Sequence, residues 1–370
     1  MSSDSAYSCS DANCAMPPID MTPAGMRHIE ADDAIRTRIA EAVQAVKDTT
    51  PLAQSFTNFV TINLVANAQL ASGGTAAMSF LPDDIIDTAK IAGANYINVG
   101  TLLPFYKDAL PDIAQRLAYL KKPWVLDPVA AGIGKTRTAI LKSFRDYPPT
   151  IVRGNASEII ALADMWGLPR ASEHFTDLGD VHGTVGGHNA TSLPQPSAAS
   201  DVSDIAATPG APTSPTTRPA GVESVDDVDS AIPSAIALAQ HLNSHMPTAV
   251  AQRFSNNNAA SDSCPRAAVA VSGAVDLVTD GETVYRLPGG SAMMAKITGA
   301  GCSLGGVTAV YLAVADPLVA ALAASLLYDR AAEIAERESH GPGSFQVAFL
   351  DALWNVTAEQ VASSPLLVAS

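Results

Sequence analysis

The chain has 370 residues, 47% of them hydrophobic and 16% charged, which is enough apolar mass for a sizeable core in one large domain or two ordinary ones. A formal net charge of −15 excludes a surface built to wrap nucleic acid or rest on an anionic membrane, since both need basic patches. Aromatic residues are few at 5%, while alanine, valine and isoleucine abound, as buried parallel strands under tightly packed helices require, so the expected class is α/β.

Residues 1–26 read as a disordered polar tail with neither the basic start nor the apolar centre of a signal peptide. No apolar run reaches the roughly 18 residues of a membrane span. The four cysteines, Cys9, Cys14, Cys264 and Cys302, lack paired metal-ligand spacing and suit a reducing cytoplasm. A helix is expected over 29–47, with Ile35, Ile39, Val43 and Val46 on one stripe. Then come a loop at 54–58, helices over 61–71 and 82–91, a strand over 96–99, a helix over 104–120 and a strand over 124–126 that ends at Asp127-Pro128. This alternation predicts a parallel sheet whose strand ends, at 98–101, Asp127 and 153–155, collect ligands. One more helix runs to about Trp166.

From 170 to about 230 the text is rich in Ser, Thr, Pro, Gly, Ala and Asp without apolar periodicity, which predicts a disordered insert; 255–265 reads as a shorter loop. A helix over 233–244, strands over 267–271, 277–279 and 283–287, and an all-helical end over 301–363 complete the expectation. The layout is a single domain over 27–370 interrupted by the insert and the loop.

The most informative stretch is Ile297-Thr298-Gly299-Ala300-Gly301-Cys302. Its glycines let backbone N–H groups turn inward, and a helix expected to start at Gly301 or Cys302 adds the positive end of its dipole, a combination that binds phosphate. A thiol at such a helix start is expected to be partly ionised and able to accept a proton. The same glycine pair also serves a tight strand-to-helix turn with an inert cysteine packed behind it.

Other motifs carry alternatives. Gly132-Ile133-Gly134-Lys135-Thr136 imitates a P-loop, but that motif requires glycine at 129, where Val129 stands, and a direct strand-to-helix opening. His182 and His188 fall in the insert, where a solvated loop outweighs a metal site. Asp127 and Glu158 each follow a predicted strand on one rim and read either as carboxylates holding Mg²⁺ through water or, respectively, as a turn residue before proline and a helix-start charge. Arg153, beside Gly154 and Asn155, reads as a phosphate clamp or a surface charge.

Taken together these segments resemble the hydroxyethylthiazole kinases, a thiamine-pathway family of the ribokinase-like superfamily. The matching pieces are Phe56-Thr57-Asn58 before Asn67-Ala68, Met78 after a Gly-rich turn, Ile91-Ala92-Gly93-Ala94 leading to Asn98-Val99-Gly100-Thr101, and Leu126-Asp127-Pro128-Val129. Ile151-Val152-Arg153-Gly154-Asn155-Ala156-Ser157-Glu158, Thr298-Gly299-Ala300-Gly301-Cys302 and Gly341-Pro342-Gly343-Ser344-Phe345 follow in the family's order. Many superfamily members carry aspartate where this family carries cysteine, which sets the chain apart from kinases of hydroxymethylpyrimidine or pyridoxal and from the repair dehydratases of the same fold.

The resemblance implies a three-layer α/β/α fold with a central, mostly parallel sheet, ATP as cosubstrate with Mg²⁺, and a homotrimer with active sites between subunits. It implies that Met78 contacts the thiazole, that Asn58 and Gly100 lie near the alcohol pocket, and that Gly299 lies against the substrate. Arg153, Asn155 and Ser272 would contact ATP, Asp127 and Glu158 would serve Mg²⁺, and Gly299, Ala300, Gly301 and Cys302 would form the anion hole. Cys302 would be an auxiliary base. The chain departs from the family at Phe59, where many relatives have a second asparagine, at Ser272, where threonine is usual, and in the long insert.

Overall fold

Asp33 starts the first helix by accepting the N–H of Ile35 on its side chain at 2.9 Å, and Ile35, Ile39, Val43 and Val46 are all buried along it. Each buried aliphatic side chain of this kind contributes roughly 1.5–3 kcal/mol, so the stripe holds the helix in the core against its neighbouring helices. The molecule is described from a computed structural model covering residues 25–169, 227–255 and 265–369. The tail to residue 24, most of the predicted insert and loop, and with them Cys9, Cys14, Cys264, His182 and His188, lie outside the described residues.

The elements in chain order are β1 (Met26–His28), α1 (Ala34–Thr49), β2 (Leu52–Phe56), α2 (Ile62–Ala71), β3 (Thr75–Met78), α3 (Pro82–Ile91), β4 (Ala94–Asn98) and α4 (Tyr106–Tyr119). Then come β5 (Trp124–Asp127), α5 (Lys135–Ser143), β6 (Ile151–Asn155), α6 (Ala156–Met165), α7 (Ile232–His245), α8 (Thr248–Ser255), β7 (Ala268–Ser272), β8 (Asp276–Thr279) and β9 (Val284–Leu287). The chain closes with α9 (Ala300–Leu312), α10 (Pro317–Glu338), α11 (Pro342–Asn355), α12 (Ala358–Ala362) and β10 (Leu367–Ala369).

The strands form one sheet in the order β1-β10-β9-β8-β7-β6-β5-β4-β2-β3. The six from β3 to β7 run parallel, while β8, β9, β10 and β1 are antiparallel additions. Side chains alternate across it. Ala53, Tyr96, Val125, Ile151 and Ala268 face one core with α1, α2, α9, α10 and α11; Ile97, Leu126, Val152, Val269 and Val271 face a second core with α4, α5, α6 and α7. The three-layer α/β/α expectation is therefore met, with the parallel character confined to the six-strand half.

Several boundaries differ from the sequence reading. Residues 54–58 do not form a loop: β2 runs through 52–56, and its polar Ser55 is buried because its hydroxyl donates to Gln69 Oε1 at 3.0 Å. The first helix begins at Ala34, not at 29, because residues 26–28 pair with β10 at the sheet edge. Strands β3 and β10 and helices α5 and α8 were not expected.

Candidate active site

Strand carboxyl ends meet the start of α9 on one rim of the sheet. Gly299 caps α9 with φ 90°, a left-handed conformation that favours glycine, and a Cβ there would lie 2.7 Å from Thr61 Cγ2. The helix thus begins at Ala300, one or two residues before the expected start at Gly301 or Cys302. The first N–H groups of any helix lack intrahelical acceptors, so those of Ala300, Gly301 and Cys302 face the rim as donors. A Cβ on Gly301 would lie 2.8 Å from Arg153 Nη1, so glycine here lets the guanidinium lie against the helix start.

The sulfur of Cys302 sits among side-chain amides. Asn98 Nδ2 approaches it at 3.2 Å and Asn58 Nδ2 at 3.6 Å. Asn98 also faces Tyr96 Oη at 2.9 Å and Asp127 Oδ2 at 3.0 Å, and Tyr96 donates its hydroxyl to the same Oδ2 at 2.9 Å. On its other side Asn98 Oδ1 accepts from Asn58 Nδ2 at 3.1 Å and from the Gly100 N–H at 2.9 Å. One amide therefore links the cysteine, the carboxylate and the loop after β4.

The expected partial ionisation of Cys302 does not hold. Burial first, and the neighbouring Asp127 second, push its thiol up to about 11, against the smaller opposing pull of the Thr61 hydroxyl, Arg153 and the Asn98 amide. The helix dipole that should lower it is outweighed by desolvation and a carboxylate that the sequence did not place beside it. Burial likewise raises Asp127, opposed by Arg153, Tyr96 and Asn98.

Arg153 is no surface charge. It is buried in the middle of the rim, with Nη1 3.6 Å from Asp127 Oδ2 and Nη2 donating to Ser272 Oγ at 2.7 Å. Ser272 ends β7 directly opposite Asn155 in the register with β6. Asn155 caps α6 by accepting the Glu158 N–H at 2.9 Å, while Glu158 returns Oε2 to the Asn155 N–H at 2.9 Å and Oε1 to the Ala130 N–H at 3.0 Å. Glu158 is thus a helix-start charge by its bonds, and burial followed by the charge of Asp127 lifts its carboxyl to about 7.

Two buried polar atoms on this rim have no partner in the protein: Asp127 Oδ1 and Arg153 Nε. Buried groups of this kind normally find a partner, so their grouping marks a place for a ligand. Among the residues expected from sequence, Cys302, Gly299, Ala300, Gly301, Asn58, Gly100, Asp127, Arg153 and Ser272 come together here, with Asn155 and Glu158 adjoining. Met78 is outside the hydrogen-bonded network: it ends β3 opposite Ser55 and packs half-buried against the first core. The reading missed Tyr96 and Thr61 and gave Asn98 no role beyond the strand end. A polar residue closing an apolar strand was the available signal for Asn98; for Thr61 there was none.

The family model described as Hydroxyethylthiazole kinase family matches residues 43–172 and 235–359. A relative from Bifidobacterium longum subsp. infantis, called hydroxyethylthiazole kinase, is 66% identical over 340 residues, covering 92% of this chain and 93% of its own length. One of the same name from Bifidobacterium adolescentis is 62% identical, covering 91% and 96%. Among solved structures, that of a hydroxyethylthiazole kinase protein from Pyrococcus horikoshii superposes with a TM-score of 0.64 at 25% identity, covering 90% of this chain and 98% of the other. With the family model matching more than half of its length and relatives this similar over nearly all of it, the chain belongs to the hydroxyethylthiazole kinase family.

Proposed function

We propose that this chain transfers the γ-phosphoryl group of ATP to the hydroxyl of 4-methyl-5-(2-hydroxyethyl)thiazole, giving the monophosphate used in thiamine biosynthesis or salvage. The observation that carries the reading is the pair of unpartnered buried atoms, Asp127 Oδ1 and Arg153 Nε, beside the donor end of α9. Phosphoryl transfer passes through a loose transition state, so alignment and neutralisation of charge matter more than a strong base. The N–H groups at 299–302 hold the transferring phosphoryl oxygens, and Arg153, supported by Asp127 and Ser272, holds ATP together with Asn155. Asn58, Gly100, Gly299 and Met78 form the acceptor side.

With its thiol held near 11, Cys302 is neutral at pH 7, and only a fraction on the order of 10⁻⁴ is thiolate. Only that thiolate fraction can accept the alcohol proton, so Cys302 acts as an auxiliary base whose contribution grows with pH.

The oxygen set also fits Mg²⁺. Asp127 Oδ1 is unpartnered, and each Glu158 oxygen accepts one backbone N–H and keeps a lone pair, which suits a hard cation held through water. When bound there, Mg²⁺ supplies charge neutralisation to the ATP phosphates. Phe59 and Val60, immediately after Asn58, are 44% and 67% exposed, which supports a homotrimer in which a neighbouring subunit covers the acceptor side. ATP as phosphoryl donor supports a cytoplasmic site of action; among the described residues no helix is long and apolar enough to cross a membrane.

The test is ADP release with ATP and Mg²⁺ in the presence of the thiazole alcohol or of hydroxymethylpyrimidine. Release dependent on the thiazole alcohol is expected, and release that follows only hydroxymethylpyrimidine would overturn the substrate assignment. Light scattering should return three times the chain mass.

A further inference from the structure

The segment 132–137 imitates a phosphate loop in sequence, yet in the fold it does something else. Gly134 caps α5 with φ 79°, and the side chain of Arg137, half-buried on the first turn, folds back onto backbone carbonyls. Its Nε donates to Val99 O at 2.9 Å, Nη2 to Gly100 O at 2.5 Å and Nη1 to Ile133 O at 2.9 Å. Three nitrogens of one planar guanidinium thereby tie the loop after β4 to the loop after β5.

Both loops lead to the site. Val99 donates its N–H to the main-chain oxygen of Asp127 at 3.2 Å, and Gly100 donates its N–H to Asn98 Oδ1 at 2.9 Å. The second bond decides which way the Asn98 amide faces: with Oδ1 held by Gly100 and Asn58, Nδ2 is left for Cys302 Sγ and Asp127 Oδ2. On the other loop, the Ala130 N–H holds Glu158 Oε1 at 3.0 Å.

We infer that Arg137 is a positioning residue for the proposed reaction: its guanidinium pins the peptides of Val99 and Gly100, and through them fixes the Asn98 amide that faces Cys302 and Asp127 on the acceptor side. Only a rigid fork can bridge two successive carbonyls and a third on another loop; a lysine ammonium is a single point on a flexible stem. The inference rests on the proposed kinase reading. A merely structural staple would instead act on stability alone. Arg253 is such a staple, donating to Gly93 O at 2.9 Å and Ala313 O at 3.1 Å at the opposite ends of the strands.

The experiment compares wild type, Arg137→Ala, Arg137→Lys and Arg253→Ala in the thiazole-dependent ADP-release assay, with Tm recorded for each. Arg137→Ala is expected to raise KM for the thiazole alcohol about tenfold and lower kcat by about tenfold to a hundredfold, since small misplacements near reacting groups cost rates of that order. Its KM for ATP should stay within about twofold, millimolar guanidinium should restore part of kcat, and Arg137→Lys should recover little. Arg253→Ala should lower Tm with both KM values unchanged. Unchanged kinetics in a folded Arg137→Ala, or equal rises in both KM values without guanidinium rescue, would overturn the positioning role while leaving the kinase assignment intact. A wild-type chain that does not turn over the thiazole alcohol overturns both.

Discussion

At the amino ends of the parallel strands, Lys122 donates to the carbonyls of Lys90 and Ala92 at 2.7 and 3.1 Å, and Arg253 to those of Gly93 and Ala313. At the carboxyl ends, Asp127, Arg153, Asn98 and Cys302 bond largely to one another and leave Asp127 Oδ1 and Arg153 Nε without partners. The foot of the sheet matches cations to carbonyl dipoles, with Asn95 Oδ1 an unmet atom there among the described residues. The rim buries ionisable groups together at a cost of about 1–3 kcal/mol for each unmet polar atom, which a ligand can offset. Stability and function are thus drawn from opposite ends of the same strands.

Substitutions separate the two ends. The largest effect is expected for Asp127→Asn, which keeps the shape but removes the buried charge: kcat should fall by about 10²–10³-fold, with the far-UV circular dichroism unchanged. A kcat near wild type would place the chemistry elsewhere. Cys302→Ala should lower turnover about 10²-fold, and Cys302→Asp should retain or raise it. Because burial and Asp127 hold the Cys302 thiol up to about 11, wild-type kcat should climb between pH 7 and 9.5 while Cys302→Asp stays flat. Parallel profiles for the two proteins would remove the proton-transfer role.

At the foot, Arg253→Ala should cost about 1–3 kcal/mol in denaturant unfolding, the range for bonds to a charged group, with kinetics unaltered. A smaller, rim-derived effect should appear in stability against pH. Glu158 is raised from 4.5 to about 7 in the folded chain, so its contribution is fully present below 4.5 and is lost as pH rises through about 7. Asp276, lifted by burial to about 6, acts in the same direction. Ligand-free protein should therefore unfold at lower denaturant at pH 8 than at pH 5.5, and Glu158→Gln should flatten that slope.

Much of this division was legible in the residues. The apolar pattern and its Gly and Pro boundaries placed α2, α3, β5, α6 and α7 to within a residue or two. It failed where burial is bought by hydrogen bonds, as at Ser55 in β2, or where a helix is charged and opens on glycine, as in α5. The short strands β1 and β10, at one end of the sheet, have only their pairing with each other and β9 to declare them. At the site, order along the chain brought Asp127, Arg153 and Cys302 to one rim, but nothing in that order stated how close they lie. The helix-start argument therefore assigned Cys302 the wrong ionisation, and the folding back of Arg137 onto carbonyls was invisible in a segment that looked like a phosphate loop.

The central claim, that the rim passes a phosphoryl group to an alcohol rather than to water, is tested most directly by identifying the product. With ATP, Mg²⁺ and the thiazole alcohol, phosphorus NMR should show one new phosphomonoester on the hydroxyethyl oxygen, equal in amount to the ADP formed. ADP accompanied by inorganic phosphate alone would contradict the account.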